Sequence, residues 1–366
     1  MKIVTSRDNL LKPLQQVGGV VERRQTLPIL ANVLINAANG KINITATDLE
    51  VEMKTSASVE CEGEIDFTLP ARKLLDICKS LPEASNIEFT IDNDRTVIKS
   101  GRSRFTLGVL PAIDYPSIEP SVSSHKFTVT QKLLKRLIEK TQFAMALQDV
   151  RYYLNGLLIE IGGGMIRAVA TDGHRLALSE AECAIEQDEG IQVILPRKAV
   201  LELARLLADS DDQIDIDVSS NHIRFTFAET SFTSKLIDGK FPDYQRVIPA
   251  NPDKEILADR DTLKQALTRT SILSNEKYRG IRFQINAGTL QLLAHNPEQE
   301  EAEDEMEIDY QGDELVIGFN VGYLIEVLNV IDTETVRLSL SDSNSSCLIQ
   351  NQGTDQSRYV IMPMRL

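Results

Sequence analysis

The sequence predicts an α+β chain of three tandem, topologically similar domains, each with two helices packed on antiparallel sheets. Three observations carry that prediction. A short strand–turn–strand stretch, AVATDGHRLAL (Ala168 to Leu178), is echoed by ITATDLEVEM (Ile44 to Met53) and LLAHNPEQEE (Leu292 to Glu301), so that Thr47, Thr171 and His295 lie 124 residues apart each time. Two amphipathic stripes recur within each interval. The closing segments SRFTLGVLP, TSFTSKLID and SRYVIMPMRL align on Phe105, Phe232 and Tyr359, at intervals of 127 residues. A chain of 366 residues accommodates three such copies at ~100–200 residues per domain. The turn-rich stretches PSIEPSVSSH and PANPDK place the domains at 1–124, 125–252 and 253–366.

Within each copy the elements follow one order. A strand leads into a helix whose apolar positions are spaced i, i+3, i+4, i+7. They are Leu10, Pro13, Leu14 and Val17, then Leu134, Leu137, Ile138 and Thr141, then Leu263, Ala266, Leu267 and Thr270. Pro13 is expected in an early turn, where its missing N–H costs nothing. A hairpin follows, turning at Asn39-Gly40, at Gly162-Gly163-Gly164 and at Ala287-Gly288, because glycine accepts positive φ without a Cβ clash. The second helix carries Leu74, Ile77, Cys78 and Leu81, then Val200, Leu203, Ala204 and Leu207, then Leu324, Val327, Leu328 and Ile331. Further strands close each copy.

Composition narrows the chemistry. Apolar residues make up 42% of the chain, enough for real cores, yet no run approaches the ~18–20 residues of a membrane span. The opening ~30 residues hold no unbroken apolar run, so no secretory signal is expected. The four cysteines, Cys61, Cys78, Cys183 and Cys347, form no CxxC pair, which argues against a metal or redox site and for a reduced compartment. Acidic residues outnumber basic ones 54 to 39, for a formal charge of −15. That alone disfavours nucleic acid, but screening over ~8 Å makes the local face count for more than the total. The helix backs are locally basic: Lys132, Lys135, Arg136 and Lys140, then Arg197, Lys198 and Arg205, with Arg72, Lys73 and Lys79 in the first copy and Lys264 and Arg269 in the third. A solvated helix face explains one such helix; recurrence across copies points to a surface that tracks a phosphate backbone, joined by Arg23-Arg24 and by the loop Gln148 to Tyr153.

The acidic counterpart is Pro297 to Asp309, with Glu298, Glu300, Glu301, Glu303, Asp304, Glu305, Glu307 and Asp309. It lacks the turn glycine and converging geometry of a cation site, so it reads as a solvated or partner-facing edge. Nucleotide-binding, zinc-protease and serine-hydrolase motifs are missing. One enzyme reading stays open, a hydrolase or transferase centred on Asp172 and His174, although i and i+2 on a strand share a face without converging on a third group. The Met-rich terminus YVIMPMRL suits either a core or an adaptable groove wall.

Taken together, LLKPLQQV, TLPIL, ATDLE, PARK, SGRSRF, QDVRYYLNG, ATDGHRLA, FPDY, LSNEKYRGIR, HNPEQEE and YVIMPMRL resemble the family of bacterial DNA polymerase III beta subunits, the replicative sliding clamps, along the whole chain. The resemblance implies a non-catalytic processivity factor with the DNA clamp fold, in which two chains close head to tail as a six-domain ring around duplex DNA. It implies no cofactor, metal or membrane, and a cytoplasmic, nucleoid-associated protein. DNA contacts are expected at Arg24, Arg72, Gln148, Tyr152, Tyr153, Arg197, Lys198 and Arg205. A groove between the second and third domains should take short peptides of the polymerase III catalytic subunit, the clamp loader, other DNA polymerases and repair proteins. Its walls are expected at Leu154, Thr171, Gly173, His174, Arg175, Leu176, Pro242, Arg246, Val247, Tyr278, Asn320, Tyr323, Ser346, Val360, Met362, Pro363, Met364 and Arg365. His174, Arg175 and Arg246 are expected to orient the peptide, and Leu176, Val247, Val360 and Met362 to receive a Leu-Phe anchor. Tyr278 stands where phenylalanine is frequent in the family, and Asn344 where an apolar residue is frequent. The homodimer interface is expected to set Lys73, Arg102 and Arg104 against Glu300, Glu301, Glu303 and Asp304, and Phe105 and Leu107 against Ile272 and Leu273.

Overall fold

The computed structural model describes residues 2–21, 27–61, 63–92, 94–118, 122–183 and 190–365. Copy 1 runs β1 (Lys2–Ser6), α1 (Arg7–Val17), β2 (Asn32–Ala38), β3 (Lys41–Thr47), β4 (Val51–Ser58), β5 (Glu60–Cys61), β6 (Ile65–Pro70), α2 (Ala71–Ser80), β7 (Asn86–Asp92), β8 (Arg95–Ser100) and β9 (Ser103–Gly108). Copy 2 runs β10 (His125–Thr130), α3 (Gln131–Thr141), β11 (Gly156–Gly162), β12 (Met165–Thr171), β13 (Arg175–Glu182), β14 (Ile191–Pro196), α4 (Arg197–Leu206), β15 (Gln213–Val218), β16 (His222–Phe227) and β17 (Thr230–Lys235). Copy 3 runs β18 (Lys254–Asp259), α5 (Arg260–Thr270), β19 (Gly280–Asn286), β20 (Thr289–His295), β21 (Glu301–Glu307), β22 (Leu315–Asn320), α6 (Val321–Val330), β23 (Thr335–Leu340), β24 (Cys347–Asn351) and β25 (Ser357–Ile361).

The apolar stripes are the buried faces of these helices, with Ala204 only half-buried. Pro13 departs from expectation. It lies at the end of the second turn of α1, not in the first, and so forfeits a hydrogen bond to the Asn9 carbonyl. Its ring is buried with Leu10 and Leu14, and both helix ends are anchored. Ser6 Oγ accepts from Asn9 N at 3.1 Å, Gly18 N donates to Leu14 O at 3.1 Å, and Arg205 Nη2 donates to Gln16 O at 2.7 Å.

Among the described residues the strands form four antiparallel sheets. Two have eight strands, β10-β15-β16-β17-β4-β3-β2-β6 and β14-β11-β12-β13-β25-β24-β23-β18; one has five, β5-β1-β7-β8-β9, and one has four, β21-β20-β19-β22. A single rule generates the two larger sheets. The closing strand of each later copy adds to the third hairpin strand of the copy before it. Thus β17 lies on β4 with Phe232 opposite Met53, and β25 lies on β13 with Tyr359 opposite Ala177. Among the described residues, β9 is laddered on one side only, by β8, and β21 on one side only, by β20.

By internal contacts the chain divides into two compact units, residues 1–132 with 201–236, and residues 133–200 with 237–366. The first holds the five-stranded sheet and the sheet containing β17 and β4; the second holds the four-stranded sheet and the sheet containing β13 and β25.

The repeated motif is one turn built twice. In copy 1, Thr47 Oγ1 donates to Val51 O (2.9 Å) and accepts from Leu49 N (3.1 Å), while Asp48 Oδ1 accepts from Glu50 N (2.9 Å) and Val51 N (2.7 Å). In copy 2, Thr171 Oγ1 donates to Arg175 O (2.6 Å) and accepts from Gly173 N (3.1 Å), while Asp172 Oδ1 accepts from His174 N (2.9 Å) and Arg175 N (3.0 Å). The residue after the aspartate has φ +76 at Leu49 and +88 at Gly173. Copy 3 uses a longer turn, in which Asn296 Oδ1 accepts from Glu300 N at 3.0 Å.

A side chain at positive φ costs ~1–2 kcal/mol, part of which glycine returns as chain entropy. Leu49→Gly should therefore raise the thermal midpoint by about 1–2 °C. Gly173→Ala, whose Cβ would stand 3.0 Å from Arg151 Nη2, should lower it. Thermal-shift measurement of both variants checks the pair.

Candidate functional site

Three segments of the second unit converge: the Thr171–Arg175 turn, the start of α6, and the tail that follows β25. Asn320 caps α6, its Oδ1 accepting from Gly322 N (2.9 Å) and Tyr323 N (3.3 Å), while its Nδ2 donates to Tyr278 O (3.2 Å). Tyr323 and Glu326, three residues apart, share a helix face. Arg175 meets that face and is only 9% exposed. Its Nε donates to Asp172 Oδ2 (3.1 Å), its Nη2 to Phe143 O (2.7 Å), and its Nη1 to the Glu326 carboxylate. The guanidinium lies over the rings of Tyr323 at 4.4 Å and Phe143 at 5.3 Å. Burial, with Asp172 alongside, raises the Tyr323 hydroxyl above its ordinary pKa. The tail is pinned at two points, with Met362 N donating to His174 O (3.0 Å) and Met364 N to Gly318 O (2.8 Å).

Along the tail, and between these segments and their neighbours, runs a chain of three cavities. The first, about 160 Å³, is lined by Arg151, Tyr153, Leu154, Thr171, Gly173, Arg175, Leu176, Pro242, Tyr244, Val247, Val360 and Met362. It sits on a buried apolar cluster that includes Leu158, Val169, Leu176, Leu178, Phe241 and Val360. Behind it Tyr244 Oη reaches Glu160 Oε1 (3.3 Å), and Arg167 bridges Glu160 (2.9 Å) and Glu180 (2.7 Å). The second cavity, about 380 Å³, shares Met362 and adds His174, Lys277, Tyr278, Asn320, Tyr323, Pro363 and Met364. The third, about 410 Å³, shares Tyr278 and Met364 with the second and is completed by Asn275, Gly280, His295, Asn296, Pro297 and Arg365.

The structure therefore gathers all the sequence-predicted groove residues except Arg246 and Ser346. Arg246 is strongly exposed and paired with Asp243 at 2.8 Å, and Ser346 lines none of the three cavities. Asn344 is an exposed loop residue whose N–H donates to Asp342 Oδ1 at 2.8 Å. One expected role needs correction. The Arg175 guanidinium is consumed by Asp172, Glu326 and Phe143, so it locks the groove's frame and offers no polar edge to a peptide. Sequence reasoning missed Arg151, Tyr244 and Lys277 as wall residues, and Asn275, Gly280, His295, Asn296 and Pro297 around the third cavity. For Tyr244 the available signal was the aromatic in FPDYQRV, two residues after Pro242. Tyr153, expected on a DNA-facing surface, is half-buried in the first cavity's wall, with its ring 6.1 Å from that of Tyr152.

The Asp172–His174 reading as a catalytic pair has no support in the geometry. Both Asp172 carboxylate oxygens are engaged, one by backbone amides and one by Arg175. The same aspartate turn occurs in copy 1 with Glu50 at the histidine's place, so the aspartate is a turn-forming device.

The other predicted residues are less uniform. Arg72, Lys73, Gln148 and Tyr152 are exposed, and the loop around Gln148 also exposes Leu147 and Val150. Arg151 braces that loop, and its hydrogen bond holds the Asp149 carboxyl down to about 2. Arg197 and Lys198 are half-buried, Arg197 donating to Met145 O at 3.3 Å. Arg205 is spent on Glu202 (2.9 Å) and on the last carbonyls of α1. Lys140 does not belong on a basic helix back; it is buried and paired with Asp332 at 2.5 Å. Arg23 and Arg24 lie outside the described residues. The acidic run forms edge strand β21, on which Glu301, Glu303, Glu305 and Glu307 are exposed. Among the described residues no group of acidic, histidine or cysteine side chains is arranged to hold a metal ion. Arg102 and Arg104 are exposed, Phe105 and Leu273 are half-buried, Leu107 is buried, and Ile272 is 76% exposed. Glu300 is engaged by Asn296 Nδ2 at 2.6 Å, and Asp304 by Arg269 at 2.7 Å.

Family models describing the N-terminal, central and C-terminal domains of the DNA polymerase III beta subunit match residues 1–119, 128–243 and 245–365. The beta sliding clamp of Pseudomonas putida is 56% identical, and that of Escherichia coli K12 49% identical, each match covering 100% of both chains. A sliding clamp from Pseudomonas aeruginosa, solved bound to griselimycin, superposes with a TM-score of 0.97 at 54% identity, again over 100% of both chains.

Removing one member of a buried charge cluster strands the others. Arg175→Ala should destabilise the second unit by about 2–4 kcal/mol, the half-exposed Glu326 softening the loss. Replacing Arg175 and Glu326 together by leucine should recover part of it. Thermal unfolding of the single and double variants checks both outcomes.

Proposed function

This chain belongs to the DNA polymerase III beta subunit family, and we propose that it acts as a sliding clamp by closing head to tail with a second copy around duplex DNA and holding client peptides in the groove. It is a processivity factor of the polymerase and not a catalyst. The observation that carries the assembly is the rule of strand addition. Each eight-stranded sheet joins four strands of one copy to four of the copy before it. Among the described residues, β9 of copy 1 and β21 of copy 3 each keep one edge without a ladder partner. Pairing β9 of one chain with β21 of another completes both. Carrying over the Phe232–Met53 and Tyr359–Ala177 register puts Phe105 opposite Ala302, Arg104 opposite Glu303 and Ser103 opposite Asp304. The charges along the two edges are opposite in sign, with Ile272 and Leu273 as apolar companions to Phe105 and Leu107. Such an interface is heterologous and forms a ring when it closes after two chains.

Encirclement reconciles the −15 charge with DNA. Phosphates lie ~1.7 Å apart along the duplex axis, and sliding needs sequence-indifferent contacts to them. Arg72, Lys198, Arg197, Gln148 and Tyr152 are the described residues proposed to make these contacts, with Arg24 beyond the described set. The protein would work in the bacterial cytoplasm, at the nucleoid; among the described residues no helix is long and apolar enough to cross a membrane.

The groove would take the Leu-Phe anchor of a client in the first cavity, each apolar side chain worth ~1.5–3 kcal/mol on burial. The thioether of Met362 lets one pocket adapt to several anchors. Deleting residues 362–366 removes a wall of all three cavities and both tail hydrogen bonds. Calorimetry with a Gln-x-x-Leu-Phe peptide should then show binding to the intact chain and none to the deletion, with the oligomeric mass unchanged. Equal affinity for both would refute the assignment of the groove.

A further inference from the structure

The third cavity is not needed to hold a two-residue anchor, yet it opens from the same groove. It shares Tyr278 and Met364 with the second cavity, and its own walls come from the long copy-3 turn, His295 to Pro297, and from Asn275 and Arg365. That turn is the position at which copy 3 departs from the aspartate turn of copies 1 and 2. Donors are left available there, beside the His295 ring and the Tyr278 hydroxyl, which can donate or accept. Asn275 Oδ1 is already used by the N–H groups of Lys277 (3.0 Å) and Tyr278 (2.9 Å), leaving its Nδ2. Asn296 is consumed by Glu300 at both ends of its amide. Arg365 is exposed, and Lys277 Nζ lies 5.1 Å from the centre of the Tyr278 ring at the rim.

We propose that this cavity is a third subsite of the peptide groove, and that it receives an acidic side chain of the client lying N-terminal to the anchor motif. The proposal deepens the clamp reading and rests on it. The direction follows from the order of the cavities. An anchor at the C-terminal end of a client motif fills the first cavity, the preceding residues cross the second, and the chain continuing towards its N-terminus reaches the third. An extended chain advances ~3.3–3.6 Å per residue, so a few added residues supply the reach. Arg365, with Asn275 Nδ2 and the His295 ring beside it, offers a carboxylate charge-assisted hydrogen bonds. Client recognition is thereby divided: apolar burial sets the anchor, and the third subsite discriminates among clients by what precedes it.

Fluorescence anisotropy with the full chain tests this. Three kinds of labelled peptide are compared: the Gln-x-x-Leu-Phe core, the core preceded by four serines, and that serine extension with aspartate placed at each of its four positions in turn. At low salt one or two of the aspartate peptides should bind about fivefold to tenfold more tightly than the serine-extended one. His295→Glu should abolish that ratio, each peptide's affinity being read against the same variant's affinity for the core. Arg365→Ala should also abolish the ratio, whatever it does to the core. If the core binds and no aspartate position improves on serine, or if the gain survives in both variants, the third subsite is wrong. If the core peptide itself does not bind, the groove reading falls, and the subsite with it.

Discussion

A closing strand whose outer edge has no partner within its own copy is the constraint on which the rest of this structure depends. An open strand edge exposes a row of unpaired amides and carbonyls and has to be paired, covered or blunted. The chain pairs it, twice, by laying the last strand of one copy on the third hairpin strand of the copy before. At the second seam this has a further consequence. Because β25 runs beside β13, the tail that leaves β25 emerges next to the Thr171–Arg175 turn, and Met362 bonds His174 directly. The groove follows from the seam: its walls come from two copies because the sheet already does.

The two seams diverge through a few substitutions on a shared frame. At the second, Leu176 faces the first cavity and lies opposite Val360. The corresponding residue at the first is Glu52, only 3% exposed, whose carboxylate accepts from Ile118 N at 3.0 Å and meets Lys54 at 2.8 Å. A buried, fully partnered carboxylate at that point replaces an apolar wall by a filled polar core, and an apolar anchor has nothing to bury there. Gly173 and Arg175, where copy 1 has Leu49 and Val51, complete the difference. Glycine relieves the positive-φ position, and arginine gathers Asp172, Glu326, Tyr323 and Phe143 into one locked cluster.

Much of this was legible in the sequence because the information was periodic. The helices announced themselves through the 3.6-residue stripe, and the hairpins through Asn39-Gly40 and Gly163-Gly164, which take positive φ at both positions. The groove was another matter. Nothing local to His174 or Met362 says that residues so far apart in the chain meet; that depends on strand order, and only a whole-chain family resemblance supplied it. Charge was the least readable quantity. Lys140, Arg205 and Arg175 each looked available, and each is consumed by a carboxylate or a carbonyl that lies far away in sequence or that helix spacing does not single out. Pro13 was misplaced for a related reason, since burial and two anchored ends outweigh one missing helical hydrogen bond.

In the proposed assembly, β9 and β21 obey the same rule of addition as β17 and β25, across two chains. Amide hydrogen exchange along Ser103–Gly108 and Glu301–Glu307, followed as the protein is diluted, tests it most directly. Both segments should be protected at concentrations where the protein is dimeric and lose protection together on dilution, while the β17–β4 and β25–β13 seams stay protected throughout. Exchange at the rate of an open edge in both segments, at concentrations where the protein is dimeric, would contradict it.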